Sequence, residues 1–147
     1  MFRNYKGANE EKMIYYNPFG EYRLTQPFKP TKHFGIDIVP KDLSKSWDVL
    51  SLGWGVVDRI LTVKDGNAGG NIVVIKSNLY DKTDIKYMHL ETINVVVGQE
   101  VKKGTIIGKM GKTTFGKYAI KNMGAHLHLE IWNNGRAIDP LVNIKWI

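Results

Sequence analysis

Cysteine is absent from this 147-residue chain, histidine is scarce, and no apolar run is long enough to cross a bilayer. The first absence excludes disulfides and thiolate metal ligands. Any zinc site must then be assembled from imidazole and carboxylate, the ligand chemistry of catalytic rather than structural sites. It fits an exported protein and a bacterial cytosolic one equally. The second absence narrows the search, because His33, His89, His126 and His128 must supply every imidazole that a site uses. The stretch Met1 to Met13 is polar and charged (Arg3, Lys6, Glu10, Glu11, Lys12) and lacks the apolar centre of a signal peptide. A basic helix and a basic–aromatic array are missing too, so nucleic acid is not an expected partner.

What is present suits one domain with one core. The chain is 43% hydrophobic and 24% charged, an ordinary balance for a globular protein of this length. Its formal charge of +7 comes from scattered lysines and arginines. That charge implies solubility plus a general attraction to an anionic surface, such as a bacterial wall.

The stretch Gly124 to Ile131 organises the rest. Taken as a β-strand, it sends Leu127, Leu129 and Ile131 to one face and His126, His128 and Glu130 to the other. The apolar face belongs to a core. The polar face carries two imidazoles and a carboxylate, which are either surface groups on an amphipathic strand or members of one site. Neutral imidazoles held in a cleft need partners, and a metal ion is an efficient one.

A second such face runs from His33 to Val39, with Phe34, Ile36 and Ile38 on one side and His33, Gly35 and Asp37 on the other. Gly35 leaves room for something bulky to approach the backbone. Asp37 alone would read as a turn residue, but two faces of this kind in a small chain point to shared chemistry. His89 lies in a third apolar run, Ile85 to Leu90, on the face of Tyr87.

Elsewhere the chain predicts short strands and turns. Residues 1 to 20 are expected as a short helix or an irregular arm, and Tyr22 to Gln26 as a strand. Val49 to Thr62 reads as a strand pair around Gly53-Trp54-Gly55, and Asn71 to Lys76 as a further strand. Val97 to Gly108 alternates turn glycines with apolar pairs, and Gly111 to Met123 is a long polar and aromatic loop. Asn133-Asn134-Gly135 signals a hairpin leading into Arg136 to Ile138. Asp139-Pro140 is expected to end the ordered pattern, leaving a tail with Trp146. Many short strands at regular spacing imply a mainly β, antiparallel architecture.

Four pieces now fall in order. His33-Phe34-Gly35-Ile36-Asp37 has the form H-x-G-x-D, Tyr87-Met88-His89-Leu90 the form Y-x-H-L, and Gly124 to Ile131 the form G-x-H-L-H-x-E. Val97 to Gly108 adds a glycine-punctuated turn segment. In this order they resemble the M23 family of zinc metallopeptidases, the lysostaphin and LytM type of peptidoglycan endopeptidase.

The resemblance implies antiparallel sheets of the duplicated hybrid motif, or barrel-sandwich hybrid, with long loops around a cleft. The domain would span 22–147 behind an N-terminal arm at 1–21. It implies one zinc ion per chain on His33, Asp37 and His128, with a fourth position left for water, and His89 and His126 as catalytic histidines that do not bind metal. His126 is favoured as base because it shares a face with His128, and Glu130 as an acceptor for an imidazole N–H. The implied reaction is hydrolysis of peptide bonds in bacterial peptidoglycan, in the stem or the cross-bridge, by a monomer acting at the cell wall. The chain is expected to be active as made, and its lack of a signal peptide and a wall-binding module resembles a phage or prophage lysis protein.

The loop from Gly111 to Gly124 is longer than the family's usual turn, and Phe115, Tyr118 and Met123 are expected to wall the cleft. Three alternatives stand beside this reading. One is a catalytically silent wall-binding or virion module on the same fold, although all five positions are filled here. Another is a lipoyl- or biotin-carrier-like domain, which has no use for the five site residues. The last is a polyanion-binding structural protein, compatible with catalysis.

Overall fold

The apolar alternations become thirteen short strands in a computed structural model that describes residues 12–114 and 124–147. Strand β1 (Met13–Tyr15) is followed by β2 (Tyr22–Gln26), β3 (Ile36–Pro40), β4 (Asp48–Leu50) and β5 (Gly55–Leu61). A single 3-10 turn at Val63–Asp65 leads to β6 (Ile72–Ser77), β7 (Thr83–Met88), β8 (Leu90–Ile93), β9 (Glu100–Val101) and β10 (Ile106–Met110). The last elements are β11 (Leu127–Asn133), β12 (Arg136–Ile138), helix α1 (Pro140–Asn143) and β13 (Ile144–Trp146). Among the described residues no helix is long and apolar enough to cross a membrane.

One large antiparallel sheet runs in the order β2-β3-β11-β7-β6-β5-β9. Strand β11 is its centre. On one edge it pairs with β7 along Leu129↔Tyr87 and Ile131↔Ile85; on the other it pairs first with β3, then with β12. Register matters because it lines up one face across five strands. Ile36 and Ile38, Leu127, Leu129 and Ile131, Ile85 and Tyr87, Val73 and Ile75, and Val57 all lie buried together. That face closes on a three-stranded sheet, β4-β10-β8, and on the β1–β13 pair, which contribute Val49, Ile107, Leu90, Met13, Tyr15 and Ile144 to the same core. The Tyr87 hydroxyl crosses that core to accept from the Leu52 N–H at 3.0 Å. The opposite face of β3, β11 and β7 is left to the polar side chains.

The mainly antiparallel β architecture agrees with the sequence, and so do β2 and the Asn134-Gly135 hairpin. Asn134 (φ 52°) and Gly135 (φ 75°) both adopt the left-handed conformation that a tight two-residue turn requires. Other expectations are corrected. The helix or irregular arm expected before residue 21 contains β1, whose Met13 and Tyr15 are 0% and 1% exposed and belong to the core. Its partner is β13, in the segment expected to be a tail, and the two run parallel. Asp139-Pro140 does not end order. It starts α1, with the Asp139 side chain accepting from the Leu141 N–H at 2.9 Å and Pro140 in the first turn. Three-residue strands are too short to show a period, and their partners stand at opposite chain ends, so no local pattern announces them. The strand pair expected over Val49 to Thr62 is also corrected: β4 joins β10, whereas β5 joins β6 and β9.

Candidate metal and catalytic site

The antiparallel register of β3 on β11 sets Asp37 directly opposite His128, although 91 residues separate them in sequence. Their side chains meet on the polar face, with His128 Nδ1 2.7 Å from Asp37 Oδ1. His33 arrives differently. In a straight strand it would stand about 13 Å from Asp37. Instead the chain turns at Lys29–His33, where each backbone N–H donates to the other residue's carbonyl (2.9 and 2.8 Å), and β3 begins only at Ile36. The turn brings His33 Nε2 to 3.2 Å from Asp37 Oδ1. It also takes Phe34 out of the expected apolar face: Phe34 is 44% exposed and packs against Trp132. Gly35 is required because the β11 backbone approaches it. A Cβ there would collide with the Leu129 carbonyl and the Glu130 Cγ.

His89 does not continue the face of Tyr87. It sits between β7 and β8 with φ 65°, a left-handed conformation that swings the ring off the strand while Tyr87 stays in the core. Its backbone N–H donates to the Gly69 carbonyl at 2.8 Å. His126 precedes β11, bridged to Gly111, and its ring centroid lies 4.8 Å from that of His89. His126 Nε2 reaches within 3.7 Å of Asp37 Oδ2.

Each imidazole has one nitrogen held by an oxygen that can only accept. His33 Nδ1 lies 2.8 Å from the Pro27 carbonyl, His89 Nδ1 2.7 Å from the Thr113 carbonyl, and His126 Nδ1 2.9 Å from the Gly124 carbonyl. His128 Nε2 lies 2.8 Å from Glu130 Oε2. Those of His33, His89 and His126 therefore carry the hydrogen, and in a neutral ring their other nitrogen presents a lone pair; His128 faces a carboxylate at Nδ1 as well, and presents a lone pair there once a cation replaces the Nδ1 hydrogen. The donor atoms of His33, Asp37 and His128 fall within 4.8 Å of one another. Lone pairs and a carboxylate converging so closely call for a cation, and two imidazoles with one carboxylate suit zinc.

The electrostatics say the same. Burial opposes charge on His128, yet its hydrogen bonds to Asp37 and Glu130 prevail and push it up to about 9, so without metal a proton fills the gap. Burial likewise works to raise the Asp37 carboxyl, but the bond to His128 and the charges of His126, His128 and His33 hold it below the usual range. The Glu130 carboxyl, also buried, is held down by His128 and Trp132. Burial pushes His89 down, against the pull of the Thr113 carbonyl, and favours its neutral form.

All five residues singled out from the sequence, and Glu130 with them, come together here. Four partners were not anticipated. The carbonyls of Pro27, Thr113 and Gly124 left no sequence signal, whereas Trp132 continues the alternation of His128 and Glu130. The expected aromatic wall of Phe115, Tyr118 and Met123 lies outside the described residues.

The chain matches peptidase family M23 over residues 31–140. An uncharacterized metalloprotease of Buchnera aphidicola is 33% identical over 82% of this chain and 31% of its own length. Stage II sporulation protein Q of Bacillus subtilis is 31% identical over 91% of this chain and 41% of its own. Peptidoglycan DD-endopeptidase ShyB of Vibrio cholerae is 35% identical over 56% of this chain and 18% of its own. The chain thus spans well under half the length of these curated relatives. Among solved structures, lysostaphin from Staphylococcus simulans superposes with a TM-score of 0.63 at 28% identity, covering 82% of this chain and 48% of that one. The SpoIIQ–SpoIIIAH pore-forming complex shares the fold, with a TM-score of 0.70 at 24% identity over 92% of this chain and 93% of the matched chain.

Proposed function

The chain belongs to peptidase family M23, zinc-dependent in general, and from that premise we propose that it is a zinc endopeptidase hydrolysing peptide bonds of bacterial peptidoglycan. The observation that carries the reading is the convergence of His33 Nε2, Asp37 Oδ1 and His128 Nδ1, with the outer nitrogen of each ring already tied to an acceptor. These three residues would hold one zinc ion. When bound, zinc supplies a Lewis acid and brings the pKa of a water to roughly 7.

The remaining chemistry belongs to the two histidines outside that set. His126 Nε2, a lone pair facing the cleft, takes the proton of the attacking water and returns it to the departing amine. His89, kept neutral by burial with its hydrogen on Nδ1, offers a second lone pair at Nε2 that accepts from the attacking water and orients it. The carbonyls of Gly124 and Thr113 hold both rings edge-on to the site, which limits the reorganisation that reaction requires. A wall substrate agrees with the named activity of ShyB and with a formal charge of +7 against an anionic wall. We place the site of action at the cell wall and the working unit as a monomer.

A second reading, a silent binding module on the same fold, draws on the likeness to stage II sporulation protein Q. Digestion of purified peptidoglycan separates the two. The wild-type protein is expected to release new peptide amines, identified by fragment mass, while His128→Ala loses both zinc and activity. Zinc-loaded protein that cuts no wall type would favour the silent module; wild-type protein that takes up no zinc would end the metallopeptidase reading.

A further inference from the structure

Trp132 stands on the same face of β11 as His128 and Glu130, two residues beyond the latter, yet offers no donor atom to a metal. Its indole Nε1–H donates to Glu130 Oε1 at 2.7 Å, and the other oxygen of that carboxylate accepts from His128 Nε2 at 2.8 Å. The terminal torsion of a glutamate is broad, so one hydrogen bond leaves the carboxylate plane free to turn. Two bonds, one to each oxygen, fix it. The indole is itself held: the Phe34 ring lies 6.1 Å from it, and Lys86 Nζ sits 4.5 Å above its centroid. Lys86 is also the register partner of Glu130 on β7, so its charge faces the same carboxylate. Glu130 is only 8% exposed, so water does not readily replace a lost donor.

We propose that Trp132 is a positioning residue for the metal site, acting through Glu130 to hold His128 with its hydrogen on Nε2 and its lone pair on Nδ1. The inference rests on the reading of His128 as a zinc ligand. Without the indole N–H, the carboxylate turns, the ring loses its fixed tautomer and orientation, and the zinc is held less tightly. Phe34 packs beside the indole and Lys86 sits over it, but neither joins the chain of hydrogen bonds.

The test is the zinc dissociation constant, measured by competition with a chelator, for the wild-type protein, Trp132→Phe, Glu130→Gln, the double variant and Phe34→Leu, each first checked for native circular dichroism. Trp132→Phe keeps an aromatic ring beneath Lys86 while removing the donor and part of the ring's area, and is expected to weaken zinc roughly tenfold. Glu130→Gln should cost between about 10-fold and 100-fold. Because Trp132 acts through Glu130, the double variant should bind no more weakly than Glu130→Gln alone. Phe34→Leu removes the ring contact but leaves the donor, and should stay within about twofold of wild type. Three results would overturn the assignment: Trp132→Phe binding as wild type does, losses that add in the double variant, or Phe34→Leu weakening zinc as much as Trp132→Phe. If the wild-type protein binds no zinc, the metal reading itself fails, and that outcome is recognisable because it appears before any variant is compared.

Discussion

Replacing Gly35 by alanine is the sharpest test of how the fold builds the site. Gly35 has no left-handed φ, so the substitution carries no backbone penalty of that kind. The obstacle is space: an added Cβ would lie inside contact distance of the Leu129 carbonyl oxygen and carbon and of the Glu130 Cγ. Two of these atoms are backbone and cannot rotate away. Restoring ordinary contact requires β3 and β11 to part by about 1 Å at that point. Overpacking of this kind costs about 1–3 kcal/mol. With a urea slope of roughly 2 kcal/mol/M, the unfolding midpoint should fall by about 0.5–1.5 M. The same displacement separates Asp37 from His128, since their meeting depends on the β3–β11 register. A misplacement near 1 Å costs on the order of 10²-fold in turnover. Urea melts and wall digestion, run on the same preparation, should therefore fail together. A Gly35→Ala protein with a wild-type midpoint and turnover would refute the account of this glycine as a close-approach position.

His126→Ala should keep its zinc and lose about 10²–10⁴-fold in turnover, measured as amines released per bound metal; normal cutting would remove His126 from its role. Thr113→Val removes a hydroxyl that donates to the Leu90 carbonyl at 2.8 Å and accepts from the Asn71 N–H at 3.1 Å, loosening the carbonyl that holds His89. A fall in kcat of roughly tenfold to 10²-fold with KM unchanged is the expected result, and a change confined to KM would contradict it. In the metal-free protein, protonated His128 is stabilised by its two carboxylates. That contribution, of the order of 3 kcal/mol, is fully present below about pH 6.5 and is lost as pH rises through about 9. Metal-free urea midpoints should accordingly decline over that window, whereas zinc affinity should climb as the competing proton leaves Nδ1; a flat metal-free profile would argue against the paired imidazolium.

The alternation in Leu127 to Ile131 was sufficient to predict a strand with a core face and a site face, because a period of two needs no partner to be recognised. The Asn134-Gly135 turn was legible for a similar reason: its backbone demand is met by those residues themselves. The same alternation misled at Phe34 and at His89. A local pattern assumes that a strand continues, and in both places it is interrupted, by the turn at Lys29–His33 and by the φ of 65° at His89.

By itself, then, the order of residues determined the chemistry available: no thiolate, four imidazoles, and the aspartate and glutamate that sit beside them in three short motifs. Only the tertiary structure decided how that chemistry is presented. The register of β3 on β11, the carbonyls of Pro27, Gly124 and Thr113, and the indole of Trp132 choose which nitrogen of each ring faces inward. The physical reason is that a tautomer is set by what lies within hydrogen-bonding distance on the far side of the ring: for His89 that is a carbonyl 24 residues further along the chain, and for His33 a carbonyl returned by the turn at Lys29–His33, whereas Glu130 and Trp132 follow His128 on its own strand and meet the site only once β11 is set against β3.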